Sequence, residues 1–219
     1  MELPIAQEYL LLTEKITSRP TLRTRFTTQA YLVLATFFDL RQQDLITIDE
    51  QHVTVPNPAR LTAALPASLQ MIAQRLQAAL NQSNQTEDVF KLLVSWNLAN
   101  AVYDTIGPQL ERRQLVEKVI FQNNLMPHTI YVPTVAAKQD LMTQLGHEVQ
   151  TQTLTPAHRE LLMIFQQLDA LKWVLPADQV AAAMTQLTQD PATTQLQALT
   201  AMAAHRITMR KFELDSWLS

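Results

Sequence analysis

Catalysis and metal binding need reactive side chains at fixed spacings, and the histidines are the first residues to test for them. His52, His128, His147, His158 and His205 are scattered through the 219 residues. No two stand three or four apart, the separation that puts two imidazoles on one helical face, and His147-Glu148 lacks the second histidine of a zinc-protease motif. Each histidine therefore reads as a surface or capping side chain. With no cysteine in the chain, thiol nucleophiles, disulfides and thiolate metal sites are excluded, and no metal or other cofactor is expected. Gly107 and Gly146 are the two glycines, so no loop offers the clustered glycines that let backbone approach a nucleotide phosphate. A G-x-S-x-G nucleophile elbow is absent as well. The acid pairs Asp49-Glu50 and Glu87-Asp88 fall in a turn and at a helix start, where solvation and the helix dipole account for them without acid–base work. These absences point away from an enzyme and toward a protein that works by binding.

Basic residues are the remaining source of specific chemistry. Lysine and arginine number 17 against 20 aspartates and glutamates, a net charge of −3. That balance argues against a general nucleic-acid binder, which neutralises phosphates with a basic face. Local groups nevertheless occur: Arg19, Arg23 and Arg25 in one stretch, Arg112-Arg113 in another, and Arg206, Arg210 and Lys211 near the end. Exposed charge is the ordinary state of a helical surface, and a solvated face explains any one group. The functional alternative is that Arg23, Arg25, Arg112 and Arg113 converge on one anionic ligand, because planar guanidinium forks grip phosphate oxygens in pairs.

These groups must be positioned by helices. The composition is 47% hydrophobic and 17% charged, enough apolar surface for a sizeable core. Apolar residues recur at helical spacing over Leu3 to Ile16, where they predict a half-buried helix, and over Phe26 to Arg41, where they cover more than one stripe and predict the central helix. Leu45 to Ile48 and Val53 to Val55 flank a polar turn and read as a hairpin. Further helices are expected from Pro66 to Leu80 and from Thr86 to a stop at Gly107-Pro108. They continue over Leu110 to Phe121, Val135 to Gln150, Pro156 to Leu175, Ala177 to Gln189, and Pro191 to about Phe212. The β-branched Thr129 to Val132 suggests a second hairpin arm. The expectation is a mainly α protein, a single globular multi-helix domain over residues 1–219 with one or two short β-hairpins. The acidic start has no basic segment ahead of an apolar stretch, so no secretory signal is expected, and no apolar run is long enough to span a bilayer.

In element order the chain resembles the Golgi phosphoprotein 3 family, helical adaptors that bind phosphatidylinositol 4-phosphate on Golgi membranes. Leu3-Pro4-Ile5-Ala6-Gln7-Glu8-Tyr9-Leu10-Leu11-Leu12 is similar to the family's leading helix. Phe38 to Ile48 resembles its acidic-Leu helix end and the strand that follows, with Gln43-Asp44-Leu45 standing in place of the family's basic turn. Leu65 to Ile72 looks like its leucine-anchored helix start, Glu111 to Met126 like its central helix and β-arm, and His158-Arg159-Glu160-Leu161-Leu162 like its His-Arg followed by leucines. The resemblance implies a non-enzymatic peripheral membrane adaptor, cytoplasmic or held at a membrane surface, that binds an anionic, phosphoinositide-like lipid headgroup. The family's pocket positions fall at Thr24, Val33, Leu110 and Arg113, of which Arg113 alone keeps an arginine, with Arg23 and Arg25 flanking Thr24. Two other readings compete. One is a helical scaffold or regulatory module that binds another protein or forms a homo-oligomer, with Tyr131 and Val132 on the arm as contacts. The other is a winged-helix nucleic-acid reader using Leu110 to Phe121 as its recognition helix, although no nucleic acid is expected from the charge.

Overall fold

The computed structural model describes residues 3–14, 22–122, 127–189 and 191–217. Among them are ten α-helices and two two-stranded antiparallel sheets, the mainly α architecture that the periodicity predicts.

The first helix, α1 (Ile5–Thr13), is buried on every side: Ile5 through Leu12 are all inaccessible, Gln7 and Glu8 included. It is a core helix rather than the half-buried one that its spacing suggests, because α2 (Leu22–Gln42), α6 (Trp96–Arg112), α7 (Val135–Thr151) and α8 (Pro156–Gln167) pack around it. Pro4 stands at its N-cap and has no side chain to offer. The two free N–H groups of Ile5 and Ala6 instead donate to the carboxylate of Asp39 on α2, at 2.6 and 3.0 Å, a long-range substitute for a local cap. Helix α2 has the predicted depth, with Ala30 through Phe38 buried without interruption.

Strands β1 (Thr47–Ile48) and β2 (Val53–Thr54) pair as the expected hairpin. A short helix not expected from the sequence, α3 (Pro58–Ala64), follows; Asn57 caps it by accepting from the Arg60 N–H. A 3-10 turn and α4 (Gln70–Leu80) come next, then α5 (Thr86–Val89), a second 3-10 turn over Phe90–Val94, and α6. The predicted single helix from Thr86 is broken at Ser95, whose extended backbone (φ −80°, ψ 112°) separates the two parts.

The largest departures lie after Gly107-Pro108. Helix α6 does not stop there but runs on to Arg112 with Pro108 inside it. The predicted separate helix over Leu110 to Phe121 is not formed: its first three residues end α6, and β3 (Val116–Gln122) occupies its second half and pairs with β4 (Pro127–Pro133) from Val116 opposite Pro133 to Gln122 opposite Pro127. The winged-helix alternative thereby loses its recognition helix. The predicted helix from Pro156 to Leu175 is shorter: α8 ends at Gln167, where Asp169 turns left-handed (φ 51°) and the Ala170 N–H returns to the Phe165 carbonyl, and a 3-10 turn over Leu171–Trp173 follows. Helices α7 and α8 are capped by Thr134 and Thr155, and α9 (Ala177–Gln189) and the long α10 (Pro191–Trp217) complete the body. Residues from all ten α-helices except the surface part of each feed one apolar core.

Candidate functional site

A corner is built where α6 hands over to the β3–β4 arm. Gly107 makes the junction possible, since a Cβ there would lie 2.1 Å from Cδ2 of Tyr131, whose ring rests on the helix at that point. Tyr103, one turn earlier, packs against Tyr131 with the rings tilted at 53° and their centroids 5.6 Å apart, and its hydroxyl accepts the Tyr131 N–H at 3.1 Å. The helix ends two residues past Leu110. Gln114 adopts a left-handed conformation (φ 59°), and the Leu115 N–H returns to the Leu110 carbonyl at 3.0 Å, the wrap-around that closes a helix C-terminus.

This closure leaves Arg112 and Arg113 side by side and exposed. Arg112 donates to the Pro108 carbonyl at 3.3 Å, and cations in a last turn complement the helix dipole, which accounts for the position structurally. Arg113 reaches Gln7 Oε1 at 3.4 Å, so its stem lies along the start of α1. Lys118 is exposed on β3, while Glu117 points to the opposite strand face and Glu111 is exposed beside the pair. Two large apolar side chains stand in solvent along the arm: Val135, 86% exposed at the start of α7 just past its base, and Ile120, 70% exposed on β3 four residues beyond Val116 and opposite Thr129. The Thr134 N–H bonds to the Leu115 carbonyl at 3.0 Å, which ties Val135 to the base of the arm.

The structure brings together Arg112 and Arg113 but seats Arg25 elsewhere. The Arg25 guanidinium lies 5.6 Å from the ring centroid of Tyr103, with the Glu14 carboxylate as its charge partner. Tyr103 and Arg113 are ten residues apart on α6, about 15 Å at the helical rise, more than one phosphate group spans. Arg23 belongs to α2 by its backbone, but its side chain, like Arg19 as a whole, lies outside the described residues. Val33 and Leu110, the apolar residues at two of the pocket positions implied by the resemblance, are both 0% exposed in the core.

Sequence reasoning missed a second constellation, and it is internal. His158, read as a surface or capping residue, is buried between two carboxylates: Nδ1 is 2.7 Å from Glu148 Oε2 and Nε2 is 3.3 Å from Glu8 Oε1. Burial opposes its charge, but hydrogen bonds and the negative charge of Glu8 and Glu148 outweigh it and push the imidazole pKa up to about 9. Glu148 is correspondingly depressed, the imidazolium overcoming its desolvation. Glu8 stays raised because its own burial dominates. Next to them, burial lifts the Asp39 carboxyl to about 7 against the two N–H bonds from α1, with Glu160 and Glu8 adding repulsion. Glu160 on α8 is held by Arg41 and by Gln42 Nε2 at 2.8 Å. The spacing signal was out of reach, since Glu8 and His158 are 150 residues apart. No group of three or more such residues among those described is arranged to hold a metal ion, and the cluster's work is to lock α1, α2, α7 and α8 to one another. No family model matches the chain, and no curated protein matches it either.

Proposed function

We propose that the chain is a non-catalytic adaptor that meets an anionic, phosphoinositide-bearing membrane surface peripherally, with the corner where α6 ends and the β3–β4 arm begins. The observation that carries this reading is the pairing of two exposed guanidinium groups, Arg112 and Arg113, at the end of α6 with exposed apolar side chains on the adjoining arm, Val135 just past its base and Ile120 further out. Cations near an anionic leaflet gain about 1 kcal/mol each, and exposed apolar side chains beside them gain by entering the acyl boundary. No helix of the described residues is long and apolar enough to cross a membrane, so contact of this kind is superficial. The resemblance to the Golgi phosphoprotein 3 family supports the same class of ligand. The mode differs, because buried Val33 and Leu110 stand where that family's pocket arginines would be; binding here is a surface contact supported by Arg112 and Arg113, with Arg25 engaged at Tyr103.

Sedimentation with vesicles tests it. Vesicles of phosphatidylcholine carrying phosphatidylinositol 4-phosphate or phosphatidylserine should retain the protein at about 0.1 M salt, where the screening length is about 10 Å, and pure phosphatidylcholine should not. Equal recovery on neutral and anionic vesicles sinks the proposal. A scaffold reading is favoured by a separate observation, the exposure of Met209 and Phe212 on α10, and does not compete for the same surface.

A further inference from the structure

Helix α10 carries a cleft and a knob on one side. The cleft, about 150 Å³, lies between α10 and the α5 region and is lined by Phe90, Met202, His205, Arg206, Met209 and Glu213, with Glu87 at its rim. Its floor is apolar, since Phe90 is fully buried, and methionines form flexible, polarizable walls that adapt to an inserted ring. A cavity of this size accommodates one benzene-sized group. The knob is Phe212, 65% exposed, three residues after Met209, which is 45% exposed. Spacings of three, four and seven put Met202, His205, Met209, Phe212 and Glu213 on one helical side.

Charge along the same stretch is ordered. Of the charged side chains on this stretch, Arg206 and Glu213 line the cleft side, the basic one first and the acidic one seven residues after. Two copies laid antiparallel put basic against acidic at both ends, the self-complementarity that a two-fold interface requires. A register that places Phe212 of one copy over Ile207 of the other sets its ring into the cleft and brings Glu213 opposite Arg206, twice by symmetry. Glu213 is free to take part: its bond to Arg210 (2.7 Å) leaves the side chain half exposed. Arg206 is half-buried in the cleft wall, with its Nε atom lacking a hydrogen-bond partner.

From this cleft, knob and charge order, we propose that the chain forms a two-fold dimer through antiparallel α10 helices, each Phe212 seated in the partner's Met202–Met209 cleft. One ring and one charge pair per copy carry the contact, so dissociation is expected in the micromolar range. The proposal is independent of the membrane-facing corner, which lies on α6 and the arm.

Sedimentation equilibrium on the full chain from about 1 to 200 µM, spanning the expected dissociation range, tests it. The mass should rise from one chain toward two. F212D should stay at one chain throughout, and M184D, which removes an exposed methionine on α9, should behave as the parent does. R206E and E213R should each weaken association at least about tenfold, as a lost charge pair would, and R206E/E213R together should restore it. One-chain mass for the parent at every concentration overturns the proposal. So does undiminished association of F212D, or a double variant no better than the singles. Far-ultraviolet circular dichroism of each variant shows whether the helices are intact. If R206E unfolds, the comparison of F212D with M184D decides alone.

Discussion

At the scale of single residues, the buried histidine sets the pH response. His158 has its folded-state pKa raised to about 9 from an ordinary 6.5, so the stability it contributes is fully present below pH 6.5 and is lost as pH rises through 9. A shift of that size corresponds to on the order of 3 kcal/mol. Asp39, raised to about 7, works in the same direction over a lower window, because its neutral form suits the buried site and its charged form does not. Glu148, depressed by the imidazolium, has the opposite sign: its contribution is present above the ordinary carboxylate range and lost in acid. The denaturation midpoint should therefore fall steadily between pH 6.5 and 9.5. His158→Gln leaves two carboxylates facing each other and should cost about 3–5 kcal/mol at pH 6, with the gap to the parent narrowing by pH 10. A parent midpoint that is flat or climbs across that window would contradict the assignment of an imidazolium at this position. None of this was legible in the sequence, where His158 looks like any isolated histidine; its character comes from a glutamate on α1 that only the tertiary fold brings near.

At the scale of elements, local patterns were legible wherever neighbouring packing agreed with them. The hairpin at Thr47–Ile48 and Val53–Thr54, the helix at Ala177–Gln189 and the deep burial of α2 all follow from period and turn residues. Gly107-Pro108 was misleading because a tertiary contact reverses its usual meaning. Glycine there is kept for the Tyr131 ring rather than for a turn, and the helix ends later, at a left-handed glutamine. Val116 to Phe121, read as helix, has no two-residue alternation of its own, with Glu117, Lys118 and Ile120 all exposed; it is a strand because it pairs residue by residue with β4. Gly107→Ala would ordinarily favour a helix by up to about 1 kcal/mol, but the added methyl lies inside the Tyr131 ring. Overpacking of this kind costs about 1–3 kcal/mol, so the variant should lower the denaturation midpoint and speed hydrogen exchange at the Tyr131 N–H, which bonds to Tyr103. An unchanged exchange rate would mean that the arm does not depend on that seat. A chain with two glycines also fills its left-handed positions with Asp44, Gln114, Gln152 and Asp169. Gln152 closes α7 in this conformation while exposed, and Gln152→Gly should raise stability by about 0.5–1 kcal/mol, the strain relieved less the added chain entropy. Urea titration measures it, and a destabilised variant would refute the strain argument.

At the scale of the whole molecule, the proposed membrane contact must work against the net charge of −3. Salt should resolve the conflict, since the screening length decides how much of the protein the membrane feels. At about 0.01 M salt that length is roughly 30 Å, comparable to the whole domain, and net repulsion from an anionic surface is felt. Near 0.1 M it shrinks to about 10 Å, so the corner holding Arg112, Arg113 and Lys118 acts alone, while at 1 M about 3 Å remains and even this attraction fades. Recovery on anionic vesicles should therefore pass through a maximum near 0.1 M, whereas a uniformly basic protein would lose binding monotonically. Glu111 and Glu117 lie close to the same corner, which keeps the local excess small and the affinity modest. Replacing both Arg112 and Arg113 by alanine removes about 2 kcal/mol of surface attraction, on the order of thirtyfold in the partition constant at the maximum. Removing Ile120 and Val135 instead should lower binding by a factor that does not vary with salt, because apolar insertion is not screened. A monotonic fall with salt, or an arginine-free variant that partitions as well as the parent, would place the contact on another face of the protein.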